Sequence, residues 1–265
     1  MFGSIYGDIV GSSFEFNNTY TKDFKIDQRR SRFTDDTVLT IATMDAILHP
    51  LMGFNVAYKY YFRKYVDSHR GFGGNFYKWG FTNSLEPYNS YGNGSGMRIS
   101  PIGIIARSVD EVLKLAKHSA SATHNHPEGI KGAQAIALAI YYAKQHKDKA
   151  FIKKEIEDRF NYHLDLNIKE IQAIGFDETC QITCPIAIYA FLIANDFEDV
   201  IKTAISFGGD SDTIACMAGG IAEAYYGVTK DIVEFVLDYL DIDMKNTLLT
   251  FYDKFDLKII DDLSE

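Results

Sequence analysis

The sequence predicts an all-α protein, a single compact domain of many helices over residues 1–265. Three observations favour this fold class: apolar residues recur at helical spacing through most of the chain, strand-like alternation is almost absent, and no stretch has the composition of a linker. A chain of 265 residues, 46% of them hydrophobic, is also long enough to bury a substantial core.

Helices are predicted where apolar residues fall on one face and a capping or breaking residue marks an end. The segment 37–48 is of this kind and is ended by His49-Pro50, and the segment 132–146 is apolar nearly all round, which is typical of a central helix. The other predicted helices are 109–118, 168–174 ended by Gly175, 186–194 opened by Pro185, a helix that starts at Asp196 or Asp199 and ends at Phe207, 212–226 and 230–240. Residues 24–26 and 251–260 are the candidates for short extended segments.

The formal net charge of −9 argues against binding to nucleic acid or to an anionic membrane, because neither surface would attract an acidic protein. Three cysteines, Cys180, Cys184 and Cys216, form no spaced disulfide framework, so they are interpreted as structural thiols in a reducing compartment. The first residues lack the pattern of a signal peptide, and no apolar run approaches the roughly 18 residues of a membrane span. We therefore expect a cytoplasmic protein.

The first segment with a chemical signature is Thr34-Asp35-Asp36-Thr37, directly before a predicted helix. Helix capping explains one such residue, because a side-chain oxygen at the start of a helix accepts hydrogen bonds from free amides. Two adjacent carboxylates repel each other, however, unless a cation or a basic partner neutralises them. Taken alone, the segment fits capping and metal binding equally well.

A second segment, Gly208-Gly209-Asp210-Ser211-Asp212-Thr213, repeats this arrangement near the other end of the chain. Its glycines permit a tight turn, and its carboxylates and threonine hydroxyl are the oxygen ligands that Mg²⁺ and Mn²⁺ prefer. Two such helix starts that face one another can hold two metal ions about 4 Å apart, an arrangement that activates water. Together the segments predict a site for two divalent cations, in preference to two independently capped helices.

Two further segments are rich in small residues. Gly7-Asp8-Ile9-Val10-Gly11 has paired glycines that permit close helix packing, and Glu15 follows it, a residue that on its own reads as a surface glutamate. The run Ser90-Tyr91-Gly92-Asn93-Gly94 exposes backbone amides that can bind phosphate, and Tyr91 offers a stacking face. This signal is weak, because the run lacks the lysine of a P-loop and follows no predicted strand.

His124 and His126 precede the predicted central helix. Zinc binding is disfavoured, because no thiolate or third histidine has a suitable spacing. His124 is therefore interpreted as a residue that binds or supports the substrate, with structural hydrogen bonding as the alternative.

These segments, in this order, resemble the ADP-ribosylglycohydrolase family, which includes the hydrolase that reactivates dinitrogenase reductase. The likeness runs from residue 1 to about residue 227, and five modest motifs in the same order are together highly specific. It rests on Gly7-Asp8-Ile9-Val10-Gly11, Thr34-Asp35-Asp36-Thr37, Tyr91-Gly92-Asn93-Gly94-Ser95-Gly96-Met97-Arg98, Thr123-His124-Asn125-His126-Pro127-Glu128-Gly129 and Gly208-Gly209-Asp210-Ser211-Asp212-Thr213, with the ending Ala222-Glu223-Ala224-Tyr225-Tyr226-Gly227.

The resemblance implies a compact all-α domain with a dinuclear Mg²⁺ or Mn²⁺ centre at the bottom of an ADP-ribose cleft. Glu15 matches a glutamate near the metals, residues 90–94 match a loop that contacts the diphosphate and the distal ribose, and His124 matches a histidine near a ribose. The implied metal ligands are Thr34, Asp35, Asp36, Asp210, Asp212 and Thr213, and the implied substrate-binding residues are Ser90, Tyr91, Gly92, Asn93, Gly94 and His124.

The expected function is therefore metal-dependent hydrolysis of the glycosidic bond between ADP-ribose and a modified side chain or small molecule. Glu15 and Asp36 are the candidate catalytic residues, with Glu15 as general base. The expected partner is an ADP-ribosylated protein or an ADP-ribose-containing small molecule. Two alternatives stay open: a dinuclear phosphohydrolase acting on a nucleotide, and a non-catalytic ADP-ribose-binding or structural protein on the same scaffold.

Overall fold

The computed structural model describes residues 1–68 and 71–259, and the regular structure of these residues is helical. No strand occurs among them, only an isolated antiparallel bridge between Gly92 and Thr179, and a short 3-10 turn, Val66–Ser68, follows α3. The α-helices are α1 Phe2–Gly11, α2 Asp35–Leu48, α3 Phe54–Tyr65, α4 Gly74–Phe81, α5 Gly94–Met97, α6 Ser100–Ile105, α7 Val109–Ser121, α8 Pro127–Lys144, α9 Lys149–Phe160, α10 Ile168–Ile174, α11 Cys180–Ile193, α12 Phe197–Ser206, α13 Ser211–Tyr226, α14 Lys230–Tyr239 and α15 Ile242–Lys254. The predicted all-α class is confirmed.

Helix α8 lies at the centre of the molecule, as its apolar sequence predicts. Residues 135–140 are all buried, and the helix contacts α5, α6, α7, α9, α11 and α13. It begins earlier than predicted, at Pro127, because a proline suits the first turn, where its missing amide hydrogen is not needed.

Helices α1 and α13 pack with their backbones in contact, because glycines on α1 face α13. A Cβ atom placed on Gly7 would lie 2.1 Å from the carbonyl oxygen of Ala215, and one placed on Gly11 would lie 2.5 Å from the Cα of Asp212. Both distances are far below van der Waals contact, so this approach requires glycine. The contact brings Asp8 of α1 next to the first turn of α13.

Capping residues fix the starts of the helices near the site. Thr34 caps α2 by accepting a hydrogen bond from the Asp36 amide, so α2 begins two residues before the predicted start. Asp196 caps α12 by accepting from the Asp199 amide at 2.8 Å, which settles the choice between these two residues. Helix α10 has its predicted bounds, and α7, α13 and α14 differ from prediction by no more than one turn.

The prediction that Pro185 opens a helix is wrong. Pro185 lies inside α11, which begins at Cys180. A proline inside a helix removes one backbone hydrogen bond. The start of α11 does not depend on Pro185, because other contacts fix it. The Cys180 amide donates to the Tyr91 carbonyl at 2.9 Å, next to the bridge between Gly92 and Thr179.

The prediction of an extended segment over residues 251–260 is also wrong where the structure describes it. Helix α15 continues to Lys254, and Leu248, Phe251 and Tyr252 are buried along it. Asp241 caps this helix by accepting from the Met244 amide at 2.9 Å. Residue 260 lies outside the described residues, and residues 24–26 have no regular structure.

The three cysteines are buried free thiols, as the structural interpretation expects. Cys180 and Cys184 lie on α11, and Cys216 lies on α13. In the same described residues, no helix combines the length and the apolar character that crossing a membrane requires.

Candidate active site

An open cavity of about 390 Å³ brings together most of the residues that the sequence analysis selected. The lining includes Glu15 and, from the two acidic segments, Asp35, Asp36, Asp210, Asp212 and Thr213. Those of the small-residue loop and its surroundings are Ser90, Gly92, Asn93, Gly94 and His124. Two acidic segments that are far apart in the sequence therefore converge on one cavity.

Asp8 holds the first acidic segment against α1. Its buried carboxylate accepts hydrogen bonds from the Thr34 amide at 3.0 Å and hydroxyl at 2.8 Å, and from the Thr37 amide at 3.1 Å and hydroxyl at 2.5 Å. The Thr34 hydroxyl also lies 3.2 Å from the carboxylate of Asp36. Thr34 does not itself line the cavity, and the start of α2 is fixed by a carboxylate from another helix.

The second acidic segment begins with a tight glycine turn. Gly208 and Gly209 have φ angles of +74° and +69°, in the left-handed region that favours glycine. The side chain of Asn18 accepts from the Gly209 amide at 3.0 Å and donates to the Gly209 carbonyl at 3.0 Å. This pair of bonds ties the chain segment after Glu15 to the turn that carries Asp210.

Asp210 occupies the N-cap position of α13 but makes no capping hydrogen bond with its side chain. Its carboxylate instead accepts a hydrogen bond from the side-chain amide of Asn93 at 2.6 Å. Capping alone therefore explains Thr34 but not Asp210, whose side chain is joined to the small-residue loop of the cavity.

The carboxylate oxygens form two overlapping groups, each with all its atoms within 4.8 Å of one another. One group is Asp8, Asp36 and Asp212, and the other is Glu15, Asp210 and Asp212, so Asp212 belongs to both. The Oδ1 atom of Asp36 is buried and has no hydrogen-bond partner among the described residues. A buried oxygen without a donor needs a partner, and this donor set suits a hard divalent cation.

The carboxylates of the cavity repel one another, and burial together with this repulsion raises their pKa values. Burial, followed by repulsion from Asp210, raises the pKa of Glu15 to about 7. Burial raises the pKa of Asp36 and of Asp212 well above the usual range, and neighbouring carboxylates add to both shifts. Within residues 1–68 and 71–259, none of these groups forms an ion pair with a basic side chain.

The loop 90–94 is held by backbone hydrogen bonds beside this acidic cluster. The Asn93 amide donates to the Glu178 carbonyl at 2.7 Å, and the Ser90 amide donates to the Thr123 carbonyl at 3.4 Å. The Tyr91 side chain does not line the cavity. It is half-exposed, and its ring packs against that of His126 with centroids 5.2 Å apart.

The two histidines have different surroundings. His124 is buried beside the cavity, and a Cβ atom placed on Gly94 would lie 3.1 Å from its Nε2 atom. His126 instead caps α8 by accepting a hydrogen bond from the Glu128 amide at 3.1 Å. Only His124 is therefore placed to contact a molecule in the cavity.

Several residues that build or border the site were missed by the sequence analysis as functional candidates. Asp8 had a signal, since it is an acidic residue between two glycines of a helix, whereas Asn18 lies in an irregular segment without a pattern. Arg98 directly follows α5 and is fully buried. Tyr88 and Phe176 also line the cavity, and both lie in segments without regular structure.

Comparisons with known proteins agree with this geometry. The family model described as ADP-ribosylglycohydrolase matches residues 1–257. The chain is 27% identical to the ADP-ribosylhydrolase ARH3 of Xenopus tropicalis over 86% of each chain, and 27% identical to that of Homo sapiens over 86% of this chain and 84% of the human one. It is also 27% identical to the ADP-ribosylarginine hydrolase Tri1 of Pseudomonas putida, over 59% of this chain and 44% of that protein.

A solved structure, described as an ADP-ribosylglycohydrolase-related protein complex, has the same fold. Its TM-score to this chain is 0.70, with 22% sequence identity, over 95% of this chain and 94% of that one. The family model spans both acidic segments, the loop 90–94 and His124. On the evidence of this match and of the shared fold, the chain belongs to the ADP-ribosylglycohydrolase family.

Proposed function

We propose that the protein hydrolyses the glycosidic bond between the anomeric carbon of ADP-ribose and a modified side chain or small molecule. Water adds across this bond, and the products are ADP-ribose and the unmodified acceptor. The observation that carries the proposal is the convergence of Glu15, Asp36, Asp210 and Asp212 on a cavity that the loop 90–94 also lines. The names of the relatives, which include hydrolases of ADP-ribosylated substrates, support this substrate class.

The proposed cation ligands are Thr34, Asp35, Asp36, Asp210, Asp212 and Thr213, and the proposed cations are two Mg²⁺ or Mn²⁺ ions. When bound, such ions supply positive charge that neutralises the carboxylates and attracts the hydroxyl oxygens of a ribose. The unpartnered Oδ1 atom of Asp36 and the raised pKa values of the cluster support this assignment. Asp212 belongs to both carboxylate groups, so it would hold a cation together with the ligands of either group.

Glu15 is the proposed general base, and Asp36 is the second proposed catalytic residue. The Glu15 carboxylate lines the cavity beside Asp210 and Asp212, where it can accept a proton from the attacking water. As the glycosidic bond breaks, positive charge develops on the anomeric carbon, and the negative charge of Asp36 stabilises it. The acceptor group leaves with the proton that water supplied.

The loop 90–94 and His124 are proposed to hold the diphosphate and ribose of the substrate. Gly92 and Gly94 line the cavity without side chains, and the Nε2 atom of His124 lies close to both. Backbone amides attract phosphate oxygens without adding charged side chains. This arrangement, together with bound cations, allows an acidic protein to accept an anionic substrate.

The test is the release of ADP-ribose from ADP-ribosylated arginine and serine peptides in Mg²⁺, in Mn²⁺ and in EDTA. We expect release with a divalent cation and none in EDTA, and activity that EDTA leaves unchanged would contradict the metal assignment. Release of phosphate in place of intact ADP-ribose would favour a phosphohydrolase. Binding of ADP-ribose without turnover of any substrate would favour a binding protein.

The matched variants are a double substitution, Asp210→Asn with Asp212→Asn, and the single substitution Asp238→Asn. The double variant is expected to lose turnover and to keep its fold. Asp238 is exposed on α14, away from the cavity lining, so its variant should retain full activity. Equal activity of the two proteins would contradict the proposed site.

A further inference from the structure

We propose that Thr123 is a positioning residue, which fixes His124 as the neutral imidazole protonated at Nε2 and so makes it a hydrogen-bond donor into the cavity. The Thr123 hydroxyl lies 2.7 Å from the Nδ1 atom of His124 and accepts a hydrogen bond from the Nη2 atom of Arg98 at 2.7 Å. All three side chains are buried. The use of His124 in ligand binding rests on the proposed function, whereas its tautomer does not.

The hydroxyl of Thr123 has a single proton that it can donate. A guanidinium can only donate, so Arg98 occupies a lone pair of the hydroxyl oxygen and leaves its proton free. In the hydrogen bond between Thr123 and His124, the proton comes either from the Thr123 hydroxyl or from Nδ1 of His124. When Thr123 donates to Nδ1, the neutral ring must carry its own proton on Nε2. The Tyr88 phenol, which also interacts with Thr123, is the competing acceptor for the hydroxyl proton.

The surroundings of His124 favour its neutral imidazole. Burial, followed by the positive charge of Arg98, lowers the pKa of His124 well below its usual value. The guanidinium of Arg98 lies 4.0 Å from the centroid of the Tyr58 ring, and no ion pair joins it to a carboxylate within residues 1–68 and 71–259. The fixed cation therefore opposes a second positive charge on His124.

The Nε2 atom of His124 faces the small-residue loop. It lies 3.1 Å from the position that a Cβ atom would take on Gly94 and 3.7 Å from the corresponding position on Gly92. None of the hydrogen bonds among the described residues uses this nitrogen. An Nε2–H group is thus aimed at the small-residue loop, where it can donate to an oxygen of ADP-ribose.

The direct test is nuclear magnetic resonance of the ¹⁵N-labelled ring nitrogens in the Mg²⁺-loaded protein without ligand. The chain has seven histidines, and the signals of His124 are those that disappear in His124→Gln. We expect an unprotonated Nδ1 and a protonated Nε2 in the unmodified protein and in Thr123→Ser, which keeps the hydroxyl. Thr123→Val, which removes it, should lose this preference. A proton on Nδ1, or a cationic ring, in the unmodified protein would overturn the proposal even if neither Thr123 variant folds.

The consequence for binding is measured by calorimetry with ADP-ribose. Gln at position 124 places an amide NH₂ near the position of Nε2, whereas Asn places it near that of Nδ1. We expect His124→Asn and Thr123→Val to weaken ADP-ribose binding roughly tenfold, as for the loss of one hydrogen bond, and His124→Gln and Thr123→Ser to weaken it less. Equal losses in His124→Gln and His124→Asn would contradict donation from Nε2. If ADP-ribose does not bind the unmodified protein, the proposed function fails, and the resonance experiment still decides the tautomer.

Discussion

The carboxylate of Asp8 accepts hydrogen bonds from both the amide and the hydroxyl of Thr37, at 3.1 Å and 2.5 Å. A carboxylate from α1 thus stabilises the first turn of α2, the turn that carries Asp36. The two helices are joined at the point where the acidic cluster begins. The position of Asp36 in the cavity therefore depends on Asp8, a fully buried residue that does not line the cavity.

The first prediction tests this contact. Thr37→Val keeps the shape of the side chain and removes one donor to the buried carboxylate, so the free energy of unfolding should fall by about 1.5–3 kcal/mol. Thr203→Val is the matched control, because the Thr203 hydroxyl is buried without a hydrogen-bond partner in the described part of the chain. Urea denaturation should show no loss for Thr203→Val. An equal loss in both variants would mean that the hydroxyl of Thr37 has no special importance.

The second prediction separates a cation ligand from a structural carboxylate. Asp212→Asn should reduce turnover by at least about a hundredfold, the size of effect seen when one group that stabilises the transition state is removed. In EDTA the same variant should unfold at a higher temperature than the unmodified protein, because it removes a buried carboxylate whose neighbours repel it. A lower unfolding temperature in EDTA would indicate that Asp212 supports the fold directly.

The third prediction concerns pH in the absence of cations. The pKa of Glu15 is about 7 in the folded protein, above its ordinary value of 4.5. Between these values the folded state binds more protons than the unfolded state, so stability falls as the pH rises through this range. In EDTA the unfolding temperature should therefore be lower at pH 8 than at pH 5.5.

The effect of added Mg²⁺ on the unfolding temperature tests the same carboxylates of the cavity. Because the cation replaces the protons on the carboxylates, it should raise the unfolding temperature more at pH 8 than at pH 5.5. Differential scanning calorimetry at both pH values, with and without Mg²⁺, measures all four temperatures. A flat profile in EDTA, or an equal Mg²⁺ effect at the two pH values, would show that these carboxylates are not linked to the cation.

The fourth prediction concerns the contact between α1 and α13. Gly7→Ala would place a Cβ atom 2.1 Å from the carbonyl oxygen of Ala215, so the helices must separate, at a cost of about 1–3 kcal/mol or more. Gly74→Ala is the control for stability, because a Cβ atom on Gly74 meets nothing within 4 Å. Only Gly7→Ala should lower the urea midpoint, and a similar response of both variants would contradict the packing described.

Elements with local signals could be predicted from the sequence. Helix α10 was predicted with its bounds, since the apolar spacing and Gly175 mark it, and Asp196 was one of two proposed starts for α12. The position of Pro185 was not predictable in this way, because the start of α11 is set by a hydrogen bond to Tyr91, a residue distant in sequence. Helix α15 was missed because its aromatic residues also suit a strand, and only burial of one face decides between the two.

In the site, too, residues with a local sequence signal were predictable, and contacts that depend on tertiary packing were not. The acidic segments were found because adjacent carboxylates at a helix start are costly without a cation, a cost that the sequence alone exposes. The link between Arg98, Thr123 and His124 could not be found, because each contact depends on tertiary packing. The roles assigned by resemblance to Glu15, Ser90 and the cation ligands stay predictions until the experiments above are done.

The double hydrogen bond between Asn18 and Gly209 has a consequence for binding entropy. Glu15 lies in an irregular segment, yet three residues later Asn18 anchors that segment to the turn before α13. The freedom that a loop residue normally loses when a ligand binds is here lost already during folding. The proposed base and Asp210 are thus pre-organised as one unit before any substrate arrives.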